Sequence, residues 1–413
     1  MEISFRKIGL YTFYIYIASL FTLAYDPVLN NLTKVLLLAV IGFLFIHFCI
    51  EPYIDGWDIY KFLGMLAVYV TASAFWSLNF ETANSYNFTI YQTIFLAFLV
   101  YNLIRTKDEI ENLFLAIFWG CIIMCIYTII KYGISEIVFR LQNGIRIGKE
   151  INQENAFGYY CVIAFIIGIY NLIFRNKKWT LPFLPLLGLL AFSSGSKRSI
   201  IVIVLALAVI FTIKSNNFNP VKFLLILSGC VLLFVILYNI EFFKPFFNRF
   251  LNFLDLFNQD AGAETDLSTT TRLKMITFGL ERFQDKVLFG HGTHNYNFLY
   301  LKSFGSFSPS HNNYVQLLVD YGLVGFSIYY SIYYYIVKNT YIGVKHNDCP
   351  APMVFTICLM ELFSQMTTLC ITNKFSYIYL AIGFAYVNLI KKENFYNAES
   401  SVKYETFNYS SRL

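Results

Sequence analysis

Apolar residues in this chain arrive in long runs, with polar residues gathered into the segments between them. The runs lie near 9–25, 34–50, 59–76, 88–104, 113–131, 156–174, 180–193, 199–213, 222–240, 314–337, 353–371 and 374–390. Runs of about 17–25 apolar residues cross a hydrocarbon core of about 30 Å as helices. The pattern therefore predicts an all-α, polytopic transmembrane bundle of about twelve spans in a single domain covering 1–413. The run at 180–193 is the weakest, being short and carrying Pro182 and Pro185.

One interruption is long, from 241 to 313. Within it Phe242, Phe243, Phe246, Phe247, Phe250, Leu251, Leu254 and Phe257 recur at helical spacing with polar residues between them. That spacing predicts an amphipathic helix lying in the membrane interface. A second helix is expected after Ser268-Thr269-Thr270, whose hydroxyls suit an N-cap. Leu273, Ile276, Leu280 and Phe283 would form its apolar face, with Arg272 in its first turn. The tyrosines from Tyr329 to Tyr335 read as an aromatic belt at the inner interface.

Composition agrees with a membrane protein. The chain has 413 residues, of which 57% are hydrophobic and 14% charged, with a mean hydropathy of +0.56. Soluble chains carry roughly 25% charged residues. The eight cysteines form no CxxC pair and no Cys/His ligand spacing, so neither disulfides nor zinc are implied. Arg6 and Lys7 precede a first run too long for a signal-peptide core and without a small-residue cleavage site, which predicts a retained anchor.

Charge sets the expected orientation. With the N-terminus in the cytoplasm, the inner segments hold Arg6, Lys7, Lys61, Arg105, Lys107, Arg175, Lys177, Lys178, Lys214, Lys222, Lys338, Lys345, Lys391 and Lys392. This is the positive-inside bias. An even number of spans returns the polar tail 391–413 to the cytoplasm. Three outer segments break the bias. One is 132–155, with Arg140, Arg146 and Lys149; one is the turn Ser193–Ser199, with Lys197 and Arg198; the third is the loop 241–313. Long loops translocate whatever their charge, but the short turn does not fall under that rule. External cationic charge of this kind points to an anionic ligand.

Three of the five histidines, His291, His294 and His311, lie in the long outer loop. His311 stands in Ser308-Pro309-Ser310-His311-Asn312-Asn313-Tyr314, a turn leading into a helix start. Unpaired N–H groups and partial positive charge at such a start attract phosphate and disfavour imidazolium, keeping the ring available as a base. Gly322 and Gly325, three residues apart, would share one helix face and admit a neighbouring helix.

His311-Asn312, nine residues, Gly322, two residues and Gly325 resemble the signature of the O-antigen ligase and polymerase (Wzy) superfamily. These are bacterial membrane glycosyltransferases with a GT-C-like fold that act on lipid-linked sugars. Further likenesses extend over roughly 140–330. Phe289-Gly290-His291-Gly292-Thr293-His294-Asn295-Tyr296 looks like the family's Gly-x-Gly segment. Arg272 resembles the arginine that begins a loop helix, and Asn152-Gln153-Glu154-Asn155 the Asn-containing entry to a span. Ser194-Gly195-Ser196-Lys197-Arg198 resembles a Ser-Arg turn, with Lys197 where the arginine usually stands.

The resemblance implies a donor glycan on undecaprenyl diphosphate. Catalysis would fall to His311 as base and Arg272 as diphosphate ligand. Arg198, Lys197, Arg146, Arg140, Asn155, Asn312 and His294 would bind the diphosphate or the substrate. No metal or other cofactor is expected, as no Asp-x-Asp or His-Glu-x-x-His motif occurs. The implied reaction joins lipid-linked repeat units on the outer face of the bacterial cytoplasmic membrane, for O-antigen or capsule. Expected partners are the lipid-linked oligosaccharide as donor and acceptor, the bilayer, a chain-length regulator and a flippase; nothing points to nucleic acid. A ligase moving finished glycan onto lipid A core is the alternative within the family, and a lipid-linked oligosaccharide flippase the alternative outside it. Each residue also has a plainer reading. His311 would cap span ten, Lys197 and Arg198 would anchor at the interface, and Asn155 would cap its helix. Glu361 and Gln365, one turn apart inside a span, must face the bundle.

Overall fold

The computed structural model describes residues 4–23, 30–52, 56–149, 153–215 and 267–410, with isolated positions between 221 and 244. The expected span at 222–240 and the interfacial helix at 242–257 lie outside the described residues. The described regular structure is helical throughout. The helices are α1 (Phe5–Leu20), α2 (Asn30–Ile50), α3 (Asp58–Ala74), α4 (Phe80–Leu103), α5 (Lys107–Tyr132), α6 (Ile134–Gln142), α7 (Glu154–Phe174), α8 (Phe183–Ser193), α9 (Lys197–Lys214), α10 (Leu267–Asp285), α11 (Asn295–Phe304), α12 (Asn313–Lys345), α13 (Ala351–Ser364) and α14 (Lys374–Ser410). Four of them, α2, α5, α7 and α12, are long and apolar enough to cross a membrane, and α8 and α13 are shorter apolar helices.

Helix ends sort into two faces. On one, Arg6 pairs with Glu109 at 2.9 Å, Lys107 with Asp348 at 2.8 Å, Arg175 with Glu111 at 2.8 Å and Lys391 with Asp58 at 2.7 Å. These link the ends of α1, α5, α7, α14 and α3 that the charge pattern assigns to one side. The opposite ends carry Ser73, Ser77, Ser194, Asn313 and Thr368, which hydrogen-bond across elements. The core between the faces is rich in aromatic residues, with α7 and the first half of α14 buried along nearly their whole length. α2 packs mainly on α1 and turns much of its surface outward.

α12 is not one continuous helix. Gly322 has φ 64° and ψ −168°, which divides it into a short segment, 313–321, and a long one, 323–345. The irregular stretch 287–292 runs beside the break. The Val287 and Leu288 carbonyls accept from the Leu323 and Val324 N–H groups at 2.9 and 3.1 Å, while His291 and Gly292 donate to the Val319 and Asp320 carbonyls, each at 2.8 Å. Non-helical backbone at membrane depth is tolerated only when its polar groups are satisfied in this way. The expectation that Gly322 and Gly325 share a helix face is therefore corrected. Gly322 turns the chain and abuts Leu288 and Gly290, whereas Gly325 faces Tyr69 on α3. A Cβ at Gly322 would fall on the Leu288 backbone, and φ > 0 disfavours any L side chain. Gly322→Ala is expected to lower stability by at least about 2 kcal/mol, read as a fall in detergent melting temperature of several degrees. An unchanged melting temperature would contradict the tight break.

Three further expectations shift. α13 ends at Ser364 rather than near 371, because 365–371 spends its polar groups on tertiary partners. Asn313 Oδ1 accepts from the Cys370 N–H at 2.9 Å and the Ile371 N–H at 3.2 Å. α10 already begins at Leu267, so Ser268–Thr270 lie in its first turn. Its buried side is Met275, Phe278 and Gly279, with Leu273 and Leu280 exposed. The reason is the partner: Gly279 lets α10 lie against Val315 and Tyr296. Met275, Phe278, Tyr296, Tyr300, Val315 and Val319 form a small core of their own. The tyrosines 329–335, expected at an inner belt, divide between the bundle interior and its surface. Tyr329 and Tyr333 are buried in the bundle, Tyr330 reaches Gln365, and Tyr335 lies beside Lys391. A helix turns 100° per residue, so neighbouring tyrosines point into different surroundings, the bundle interior for Tyr329 and Tyr333 and an exposed side for Tyr334.

Candidate active site

Arg146, Asn155 and Arg198 come together first. Arg146 arrives on the segment between α6 and α7, whose Ile147 N–H donates to the Ser193 carbonyl at 3.1 Å. Its Nε donates to the Ser194 carbonyl at 2.7 Å and its Nη2 to Asn155 Oδ1 at 2.6 Å. Glu154 lies 3.9 Å from Arg146. Asn155 sits in the first turn of α7, whose N-cap is Gln153. The capping alternative for Asn155 is thus replaced by a bridging one, since its carbonyl also accepts from Arg198 Nη2 at 3.1 Å. α7 can approach so closely because Gly158 faces Ser194 and Ser199.

Arg198 is the better placed of the two turn cations. It stands in the first turn of α9, capped by Ser196. Its guanidinium lies 4.6 Å from the Tyr159 ring centroid, and Nη1 donates to Thr368 Oγ1. Its Nε, together with Ser199 Oγ and Gln365 Nε2, is buried with no hydrogen-bond partner among the described residues. Such donors are costly to leave unsatisfied, and all three suit the oxygens of an anion. Tyr159 in turn donates to Glu361 at 2.7 Å, and Glu361 also accepts from Ser376. Glu361 thus faces the bundle, as its burial requires. Lys197 is half-buried and has an interaction of its own.

The segment 365–371 connects this cluster to His311. Thr368 meets Arg198, while Gln365 Oε1 accepts from Asn313 Nδ2 and Tyr330 Oη, both at 2.8 Å. Asn313 follows His311-Asn312 directly. Asn312 caps α12, its Oδ1 accepting from the Val315 N–H at 3.1 Å. His311 is therefore not the cap, and among the described residues its ring makes no hydrogen bond. Its backbone is left-handed, with φ 52°, which for a residue other than glycine costs of order 1–3 kcal/mol and clusters at functional sites. Burial first, and then the Arg272 guanidinium, hold the His311 imidazole below its ordinary value. Arg272 is half-buried on α10, on the side that turns Met275 and Gly279 inward.

Other sequence candidates lie elsewhere. Arg140 pairs with Glu136 at 2.7 Å and lies over the Tyr132 ring. His294 stacks on Tyr86 at 4.3 Å between ring centroids, and burial lowers its pKa. His291 contacts the Arg282 carbonyl at 2.8 Å and belongs to the backing of the α12 break. Sequence reasoning missed Thr368, Ser199 and Tyr159. Their only signal is polarity beside a motif, since Thr368 lies within an apolar run.

Residues 182–330 match the family model described as O-antigen ligase. The match runs from α8 into α12 and contains Lys197, Arg198, Arg272, His294, His311 and Asn312, while Arg140, Arg146 and Asn155 precede it. It supports the O-antigen ligase and polymerase superfamily, membrane glycosyltransferase-like enzymes, without separating ligase from polymerase, and lends no support to a flippase. No curated protein matches this chain.

Proposed function

We propose that this chain is a polysaccharide polymerase. It joins undecaprenyl-diphosphate-linked oligosaccharide units on the outer face of the bacterial cytoplasmic membrane, within a twelve-span, GT-C-like bundle. The carrying observation is the run of contacts Arg146–Asn155–Arg198–Thr368, continued along 365–371 to Gln365 and Asn313 beside His311, with Arg272 close enough to depress the His311 pKa. Arginine holds a diphosphate with planar, permanently charged donors.

In the reaction, the bond between the donor's anomeric carbon and its phosphate oxygen breaks, and the diphosphate leaves with the electron pair. The acceptor hydroxyl oxygen bonds the anomeric carbon and gives its proton to His311. Arg198 and Arg272 carry the developing negative charge, a task for which fixed donors in a dry site are effective. The proposed chemistry uses these cations in place of a metal ion.

Charge on His311 fixes the sign of the pH dependence. A base must be neutral, and its pKa lies below the ordinary 6.5. Activity is expected to hold as pH falls through the usual imidazole range and to fail only in more acid solution. Removing the cationic neighbour by Arg272→Gln is expected to move that acid limb upward in kcat/KM against pH. A limb that stays in place would argue against the pairing.

Polymerase is preferred because the compact segment from Arg272 to His311, continuing into Tyr314–Gly322, resembles capsule and O-antigen polymerases. The ligase reading is favoured by the description of the matching family. Reconstitution with a purified lipid-linked repeat unit decides between them. A ladder of products is expected, and transfer to a lipid A acceptor without a ladder would establish the ligase instead.

A further inference from the structure

A cavity of about 560 Å³ lies among α1, α2, α4 and the start of α14, separate from the arginine cluster. Its lining is mixed in chemistry: Leu37, Phe95 and Leu96 supply apolar surface, and Thr89, Gln92 and Lys374 supply polar groups. Lys374 is half-buried, and its Nζ lies over the Phe375 ring, 6.0 Å from the centroid. It has no carboxylate partner among the described residues, unlike Lys107 and Lys391 on the opposite face. A half-buried ammonium without a counter-ion beside an apolar recess suits a ligand with an anionic head and a hydrocarbon tail.

The same chain segment walls both sites. Thr368 contacts Arg198, while Thr372 and Lys374 line the cavity. On α7, Tyr159 faces Arg198 and Tyr160 faces the cavity. Tyr160 and Phe375 line the cavity and pack with Phe21, ring centroids 5.0 Å apart in each pair.

We propose that this cavity seats a second lipid, a polyprenyl diphosphate whose headgroup contacts Lys374 and whose isoprenoid chain lies along Leu37, Phe95 and Leu96. The choice of lipid rests on the glycan-transfer reading, in which donor and acceptor are both anchored this way; the charge and shape of the site do not. The two amphipathic substrates then enter by different membrane-facing recesses and meet across the 365–375 segment.

The test is equilibrium binding, which needs no turnover. Farnesyl diphosphate is titrated into the full-length protein in zwitterionic nanodiscs, with stoichiometry read by native mass spectrometry. Two equivalents are expected for the natural chain. Lys374→Ala should weaken one of them by about 10–100-fold, the scale of a lost charge-assisted contact, and Lys374→Arg should retain it. Arg198→Ala should weaken the other, and its persistence in Lys374→Ala certifies the fold. A single equivalent abolished by Arg198→Ala overturns the proposal. Equal binding of farnesol, inorganic pyrophosphate or phosphatidylglycerol at the Lys374 site also overturns it, as an apolar slot, a free anion site or a general lipid site respectively. If two equivalents bind but reconstituted protein transfers no glycan, the enzymatic reading fails and the site stands.

Discussion

His311→Ala is expected to abolish polymer formation while protein level and export of single repeat units stay normal. A positioned general base contributes about 10²–10⁴-fold, enough to erase a product ladder in cells. The substitution should leave the fold intact, because Asn312 and not His311 caps α12 and the His311 ring makes no hydrogen bond among the described residues. Alanine keeps the left-handed φ unfavourable, so His311→Gly serves as a companion that relieves the backbone and still lacks the imidazole. Both variants should be inactive. Wild-type chain length in either would remove His311 from catalysis. A lipid-linked unit trapped on the inner leaflet would indicate transport instead.

The second large effect is expected at Arg198. Arg198→Ala should lower kcat/KM by at least about 100-fold, the scale on which removing a preorganised donor from a charged transition state acts. Arg198→Lys should recover little, since an ammonium keeps the charge but loses the fork that reaches both Asn155 and Thr368. Stability must be measured alongside. Loss of Arg198 leaves the Asn155 carbonyl and Thr368 without that donor, a cost of about 1–3 kcal/mol. A fall in melting temperature with unchanged kcat/KM would make Arg198 a structural strut. Arg140→Ala is the comparison, with a smaller effect expected because Arg140 pairs with Glu136 on its own helix.

The family's Gly-x-Gly likeness gains a physical meaning from these contacts. Gly290 lies against Asp320 and Gly322, and Gly292, at φ 98°, lies against Ser73 of α3 and Ser77 just beyond its end. Side chains at either position would separate the loop from the break it stabilises. The Asp320 carboxylate then accepts the Tyr296 N–H at 2.7 Å and Gln316 Nε2 at 2.8 Å, tying α11 to the short first half of α12. The loop, the break and the turn bearing His311 are therefore one mechanical unit.

The helical, membrane-embedded character of the chain was legible in its amino acids, because burial in lipid demands long apolar stretches whatever the fold. The cationic segments between the apolar runs and the turn before α12 were legible for a similar reason: charge and turn chemistry are local. The break at Gly322, the early end of α13 and the true inner face of α10 were not. Each depends on which backbone or side chain a distant segment supplies, as Leu288 does for Gly322, Asn313 for 365–371 and Val315 for Gly279. Partnership among Arg146, Asn155, Arg198 and Thr368 was hidden likewise, since residues up to 170 positions apart meet there only after the helices pack. Local pattern reports the solvent each residue prefers; it carries no record of which neighbour folding will bring.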